Sequence, residues 1–570
     1  MAVNRFKVAL NAARFPLVST KATRAVFIPG LDAAPRTPKS FMGADESVDY
    51  DLSQVIYGEN IMPTAAGINS VGYSQIVVPT VNSDFDQIFA LRDADENTVL
   101  YSPAAGKNYI YDAVAGLWST TTFLTIHGAV IAPTSPNTEA TAKVSYAYVD
   151  GKTFVCYSRL LKTATPATDA SILFWNPTTQ ALIPAGALIA NLPFAAGEID
   201  GISASNGYLL VWSGITVAWA AFNGTAFDFD IYLNGEYTGS GYQIPEDVQG
   251  PITAIVSLPG GFLMFTTKNA IASSYHSQTI STPWVFREVP NAGGISGYEQ
   301  ATVEGSLGVT IAYTTTGVQR ISLNSAEESY PDVSDFIAGR FIESYNAGTR
   351  TVSGSAVSTD FYTKLTAVAN RYLVLSYGTT AGAFDFALVY DMALKRWGRL
   401  NIAHRDCFYY SYGAITTGLT YSMLGAVSYD GSALTTYAAA GTISNPNVSA
   451  QHGLAFLLET GEVKIADWSN GNRAVQDTGV AVIGRVQLTR AGFSQFNRVE
   501  AEGMVDGDIA IQPSYDGKTL AATEDLYVIT QSGDYMEAGS LVDCKNFNLL
   551  VTGTFSLSTL IIEATTSGKV

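Results

Sequence analysis

Short apolar runs alternating with polar positions recur along most of this chain, and turns containing Gly, Asn or Asp separate them. The pattern of Tyr109-Ile110-Tyr111-Asp112 followed by Trp118 returns as Leu388-Val389-Tyr390-Asp391 followed by Trp397. A looser copy is Ile172-Leu173-Phe174-Trp175-Asn176-Pro177, with Leu182 in the Trp slot. Each reads as a hairpin: one strand delivers an aromatic to a core, Asp or Asn opens the turn, and the return strand places a large apolar residue on the same layer. Other hairpins are Val144–Tyr157 around Asp150-Gly151, Gly207–Trp219, Gly261–Ala272 and Val309–Ile321. A unit this small cannot bury its own apolar face, so copies must stack. Like positions are roughly 40–60 residues apart, about one four-stranded propeller blade each, which predicts six or seven blades between 81 and 465.

The two ends depart from this rhythm. Residues 1–80 are punctuated by Pro29, Pro35, Pro38, Pro63 and Pro79, which exclude a regular helix or a central strand over 29–38. They read as an extended arm that lies across another surface or on its own propeller. Within Tyr330–Glu343, Ser334 can cap a short helix near 333–343, with Phe336, Ile337, Phe341 and Ile342 facing inward. It would contact a neighbouring subunit or plug its own propeller. From 466 to 570, period-two alternation with frequent turns predicts a small antiparallel sandwich, with Glu, Arg and Thr facing outward against edge pairing. The predicted fold is therefore all-β. It has an extended Pro-rich N-terminal arm (1–80), a degenerate β-propeller body (81–465) with the helical insertion, and a C-terminal β-sandwich-like domain (466–570).

Composition sharpens this. A chain of 570 residues exceeds one core and should split into two or three domains. Its 51 glycines, 31 tyrosines and 27 phenylalanines, with only 14% charged residues, favour strands over helices. The formal net charge of −18 disfavours phosphate binding, which needs clustered Lys and Arg. Solubility explains such a balance, and so does a surface that must not adhere to DNA passing close by. Cys156, Cys407 and Cys544 are distant and odd in number, so no disulfide framework follows and a reducing compartment suits them. Met1–Thr20 holds no apolar run of signal-peptide length, and no window reaches the ~18 apolar residues of a membrane helix. Synthesis in a cytoplasm, without a membrane segment, is the expectation.

Candidate chemistry is sparse. His127, His276, His404 and His452 form no metal-type pair. His404-Arg405-Asp406 has the letters of a kinase catalytic loop, but no Gly-rich phosphate loop precedes it and Cys407–Tyr410 reads as a strand. Asp93–Asn97 begins like a calcium loop, but Thr98 stands where Gly belongs and Ala104 where the bidentate Glu belongs. Ser428–Gly431 and Ser514–Gly517 evoke sialidase Asp boxes, yet the Gly is adjacent to the Asp, a hairpin signal. No catalytic, metal or cofactor-binding residue is singled out. Neither an enzyme nor a cofactor is expected, and binding residues stay unassigned.

The Pro-rich start, then Asn60-Ile61-Met62-Pro63-Thr64, then Gly67-Ile68-Asn69-Ser70-Val71-Gly72-Tyr73, resembles the N-terminal portion of nozzle proteins of short-tailed bacteriophages, also called tail tubular protein B or tail hub. The resemblance implies a structural virion protein, assembled in the bacterial host cytoplasm into a ring, usually a hexamer. That ring would sit below an adaptor or head-to-tail connector, meet tail fibre, tailspike or needle proteins, and pass genomic DNA without binding it specifically. An acidic wall would repel the duplex over about one Debye length, ~8–10 Å, during ejection. The alternative is a carbohydrate-binding or carbohydrate-cleaving propeller, a receptor-binding or depolymerase module whose loop Trp and Tyr stack on sugars. A third reading is an intracellular scaffold propeller that stays monomeric.

Overall fold

The computed structural model of the chain describes residues 3–9 and 55–567, apart from 78–88, 123–143, 158–171, 329–341, 413–450, 469–477 and shorter breaks in several connections. Among the described residues the architecture is all-β, and the helical structure is one 3-10 turn, Gly186–Leu188. The helix expected near 333–343 falls mostly outside the described residues, and Ile342 already opens a strand, Ile342–Asn346, paired with Thr351–Ser355.

Six self-contained four-stranded antiparallel sheets, and a seventh that continues into a larger sheet, form the body. We call them blades in chain order. Blade one runs from Phe89–Arg92 to Leu117–Thr122, blade two from Val144–Val149 to Ala181–Pro184. Blade three runs from Gly201–Ser205 to Gly241–Gln243, blade four from Ile252–Leu258 to Trp284–Gly293, and blade five from Ala301–Glu304 to Ala326–Glu328. Blade six runs from Tyr362–Val368 to Arg396–Leu400. Blade seven comprises Asp406–Tyr412, Gln451–Leu457 and Val463–Asp467, and its fourth strand comes from the N-terminal segment. From blade two onward the first strands of successive blades lie side by side, and that of blade seven meets that of blade one.

The repeat behaves as its residues dictate. Tyr111 lies opposite Trp118, Tyr390 opposite Trp397, and Trp175 opposite Leu182. Asp391 Oδ1 accepts the backbone N–H groups of Ala393 at 2.9 Å and Leu394 at 3.1 Å, which is how the carboxylate opens the turn. Asp150 and Gly151, at φ of 49° and 71°, make the left-handed pair that a two-residue hairpin requires.

Middle blade strands such as Tyr208–Ser213, Gly261–Thr266 and Tyr372–Gly378 are buried on both faces, which explains their nearly continuous apolar runs. Phe154 and Cys156 pack against Ile202 and Val211 between blades two and three, and Trp212 and Trp219 against Phe262 and Trp284 between three and four. Leu373, Leu375 and Tyr377 turn toward Ile311 and Val318 of blade five, whereas Val374 turns toward Leu454 and Phe456 of blade seven. Each large apolar side chain sequestered this way contributes about 1.5–3 kcal/mol.

The described parts of the N-terminal segment are paired within this chain. We name its strands β1 (Val3–Ala9), β2 (Val55–Glu59), β3 (Ile61–Pro63), β4 (Ile68–Ser70) and β5 (Gly72–Val77). Strand β5 completes blade seven by pairing antiparallel with Val463–Asp467, so the two ends of the propeller chain are stitched into one sheet.

The C-terminal strands are β6 (Gly479–Val486), β7 (Phe493–Ser514), β8 (Glu524–Asp525), β9 (Tyr527–Ser532), β10 (Tyr535–Cys544) and β11 (Asn546–Ser567). Strands β7 and β11, each 22 residues long, pair along their whole length. Phe496 pairs with Ala564, and Phe547 pairs with Pro513, seventeen positions further along β7. A straight strand would separate these sites by about 55 Å. The Phe496 and Phe547 rings are nevertheless 5.2 Å apart, centroid to centroid. The paired strands therefore fold over on themselves, and the two halves enclose one core containing Phe496, Val499, Ile511, Phe547, Phe555 and Ile562. The register shift between Glu502 and Gly503 marks the bend, and Gly503 and Gly553 there have φ of 124° and 117°, conformations that favour glycine.

Candidate functional site: the clasp and the buried pair of blades six and seven

Two places concentrate polar structure. The first is a clasp made by β2 to β5, which touches the C-terminal sheet, blade six, the C-terminal sheet again and blade seven within 23 residues. Strand β2 pairs with β6, Ile61 pairs with Arg399 of blade six, and Ile68 and Asn69 pair with Leu557 and Ser556 of β11. Asn60 adopts φ of 49°, which its short amide side chain tolerates. Its Oδ1 accepts the Asn401 backbone N–H at 2.9 Å and the Tyr73 hydroxyl at 3.2 Å. Ser70 Oγ accepts the Phe555 backbone N–H at 3.0 Å and donates to the Phe555 carbonyl at 3.3 Å. The Asn69 amide donates to the Trp468 carbonyl at 2.7 Å. A Cβ on Gly67 would lie 1.9 Å from the Leu557 carbonyl oxygen, so only glycine lets the hairpin seat this closely.

Arg399 is the cation of the clasp and is 1% exposed. Its guanidinium lies 4.5 Å from the Phe386 ring centre and 5.2 Å from that of Tyr57, and Nε donates to Asn401 Oδ1 at 3.0 Å. Planar, weakly hydrated arginine tolerates this stacking better than lysine would.

The second place joins blades six and seven. Lys364 Nζ meets Asp406 Oδ1 at 2.6 Å, both side chains largely buried, and Asp406 Oδ1 also accepts the Cys407 N–H at 2.8 Å. His404 Nδ1 lies 2.7 Å from the Ile402 carbonyl and Nε2 2.8 Å from Ser376 Oγ, consistent with an Nδ1–H donor and an Nε2 acceptor. Phe384 and Phe456 flank the ring. Burial pushes the imidazole down to about 4, against a weaker opposing effect of the Ile402 hydrogen bond. A histidine held neutral by the fold stabilises it above its unfolded pKa near 6.5 and loses that contribution as pH falls toward 4. His404 should thus make stability fall by about 3 kcal/mol between pH 7 and pH 4. Urea titrations of wild type and His404→Gln across that range check this. A pH slope unchanged by the substitution would contradict the assignment.

Tyr146, on the first strand of blade two, is 58% exposed, and Tyr148 is 68% exposed. Surrounding protein nonetheless raises the Tyr146 phenol, with Lys364 opposing and Asp406 adding to the shift.

The residues weighed for chemistry are scattered. His404 and Asp406 serve the buried network just described, and Arg405 pairs instead with Glu459 at 2.7 Å. His276 follows the blade-four strand Asn269–Tyr275, and His452 lies opposite Ser411 in blade seven. His127, Asp93–Asn97 and Ser428–Gly431 lie outside the described residues. Ser514 donates to Asp516 at 3.2 Å in the turn that follows β7, and Gly517 is outside the described residues. Cys156, Cys407 and Cys544 are free and buried, and burial raises all three thiols, Cys407 to about 11 and Cys544 to about 12. They are protonated at neutral pH and poor nucleophiles. Among the described residues no group of three or more His, Cys, Asp or Glu is placed to hold a metal ion. No helix among them is long and apolar enough to cross a membrane. The clasp residues Asn60, Gly67, Asn69 and Ser70 sit inside the two stretches that carry the family resemblance, although their roles were not readable there. Arg399 and the Lys364–Asp406 pair gave no signal, because partners far apart in sequence define them.

No family model matches the chain, and no curated protein matches it. Among solved structures it is similar to PorZ, a bacterial surface component of the type-IX secretion system of Porphyromonas gingivalis, at 9% identity and TM-score 0.34, over 75% of this chain and 44% of that one. It is also similar to the extracellular domain of BT4673 from B. thetaiotaomicron, at 11% identity and TM-score 0.33, over 77% and 45%. The N-terminal domain of Nup159 is similar at 6% identity and TM-score 0.31, over 72% and 98%. This chain spans less than half the length of PorZ and of the BT4673 domain. Similarity at this level bears on neither ligand nor activity.

Proposed function

We propose that this chain is a structural subunit of a short bacteriophage tail, a nozzle-like ring that forms part of the DNA-ejection channel below portal and adaptor. The observation that carries the reading is the clasp. The stretches resembling nozzle proteins, 60–64 and 67–73, are the ones that lock propeller and C-terminal sheet into one body. A subunit that must transmit load around a conduit needs rigid coupling between its parts, and buried backbone hydrogen bonds with close glycine packing supply it. The net charge of −18 supports the same reading, because an acidic wall lets the duplex slide without arrest. In this role the chain works without cofactor or catalysis. Its neighbours would be an adaptor and the fibre, spike or needle proteins, and its place would be the virion tail after assembly in the host cytoplasm. Electron microscopy of the purified protein tests the ring: closed rings of one size are expected, and single particles at every concentration would overturn it.

Tyr146 and Tyr148, open on the first strand of blade two, favour a second reading as a carbohydrate-binding propeller, since exposed aromatic faces stack on sugar rings. On that reading a glycan array gives binding that Tyr146→Ala abolishes. Silence across the array removes it.

A further inference from the structure

The C-terminal sheet has a free edge without charge. Strand β9 pairs with β10 on one side and, among the described residues, with nothing on the other. Its side chains are exposed on both faces, with Tyr527 at 62%, Val528 at 48% and Ile529 at 46%. From Leu526 to Gly533 the sequence carries no charge and no proline. Edge strands are normally guarded by charge, proline or shortness, because open N–H and C=O groups recruit other strands. The outer strands of blades two to five obey that rule. Ala181–Pro184 ends in proline, Gly241–Gln243 is three residues long, Trp284–Gly293 carries Arg287 and Glu288, and Ala326–Glu328 carries Glu327 and Glu328. Strand β9, with six residues, has neither charge nor proline, and the bulge between Val528 and Thr530 is its one guard.

We propose that β9 is an assembly edge that takes β1 of a second copy of this chain, so that one sheet continues from subunit to subunit. The proposal rests on the ring reading and names its interface. Strands β1, β11, β7, β10 and β9 follow one another in antiparallel pairs across this half of the sheet. Four reversals leave β1 and β9, its two outermost strands, running in the same direction. A neighbour generated by rotation about an axis along the strands therefore brings its β1 beside β9 in parallel register. Two different edges joined head to tail make a heterologous contact, the kind that closes a ring. The charges permit it. The β1 sequence contains Arg5 and Lys7 and no acid, and β9 carries no charge; Glu524 and Asp525 lie on the preceding strand β8, which pairs with β7. Pairing β1 with β1 would oppose like charges, whereas the uncharged β9 opposes none.

The test is sedimentation velocity on the full chain, on Ile529→Lys, on Val528→Lys and on a deletion of residues 2–9, with thermal unfolding confirming that each is folded. Wild type is expected to sediment as one closed oligomer. Each lysine variant and the deletion should associate roughly 100-fold more weakly, as for loss of an interface hot spot. An equimolar mixture of Ile529→Lys with the deletion should stop at a heterodimer, since it has one intact β1 and one intact β9. Hydrogen exchange on wild type gives a readout that needs no variant: the β9 amides that face away from β10 are protected in the oligomer and exchange freely on dilution to monomer. Oligomers that survive all three changes, or outward-facing β9 amides that exchange equally in both states, overturn the interface and leave the ring standing. A deletion variant that still dimerises through β9 overturns the choice of β1. A wild-type monomer at every concentration overturns the ring and the interface together.

Discussion

Alanine at Gly67 is expected to unseat the clasp at a cost of about 3 kcal/mol, the upper range for forcing extra volume into a packed site. The added carbon would sit 1.9 Å from the Leu557 carbonyl oxygen and 3.0 Å from the Ser558 Cα, and both belong to the backbone of β11. Neither can swing aside as a side-chain tip could, so the hairpin or the strand must move. Movement there also lengthens the Ser70 hydrogen bonds to Phe555 and the Asn69 bond to Trp468. The cores on either side, around Phe456 in the propeller and Phe555 in the C-terminal sheet, keep their own packing. Calorimetry should consequently show one transition in wild type and two in Gly67→Ala. Gly186→Ala is the control: a Cβ there meets nothing within 4 Å, and the change should fall within about 0.5 kcal/mol of neutral. A single unshifted transition in Gly67→Ala would mean that the clasp couples nothing.

Truncating Asp406 to alanine should cost about 3–5 kcal/mol, because it removes the carboxylate that faces the Lys364 ammonium in a largely buried site. The aspartate also holds the Cys407 N–H at 2.8 Å, so the end of blade seven nearest blade six loses an anchor as well. Replacing both partners by apolar residues of similar size, Lys364→Met with Asp406→Leu, should recover most of the loss, since neither charge then needs a partner. Denaturant titrations of the two single variants and the double variant form the cycle. Additive losses would show that the two side chains act independently and that the 2.6 Å contact contributes no coupling.

Much of the fold was legible in the chain because its signals are local. Asp150-Gly151 specified its turn, and the Tyr-Asp–Trp spacing placed Tyr390 opposite Trp397, through rules that operate within a dozen residues. The all-β class followed from alternation and composition in the same way. What stayed hidden depends on long-range pairing. Proline punctuation made 55–77 read as an arm, yet Pro63 ends a three-residue strand and β5 closes blade seven with a partner almost 400 residues away. The fold-over of β7 on β11 was invisible because alternation is the same in a straight strand and a bent one. Nothing in Arg396-Trp397-Gly398-Arg399 marks Arg399 for burial. Its guanidinium lies against Phe386 and also against Tyr57, which is brought in by a segment that precedes the whole propeller.

The account stands or falls on a density map of the assembled particle at side-chain resolution, read for the subunits below the portal and the groups that face the axis. It requires this chain to be present there as a closed ring, with Asp and Glu outnumbering Lys and Arg along the wall that meets DNA. A ring with a neutral or basic wall would contradict the charge mechanism, and a particle without this chain would contradict the structural role itself.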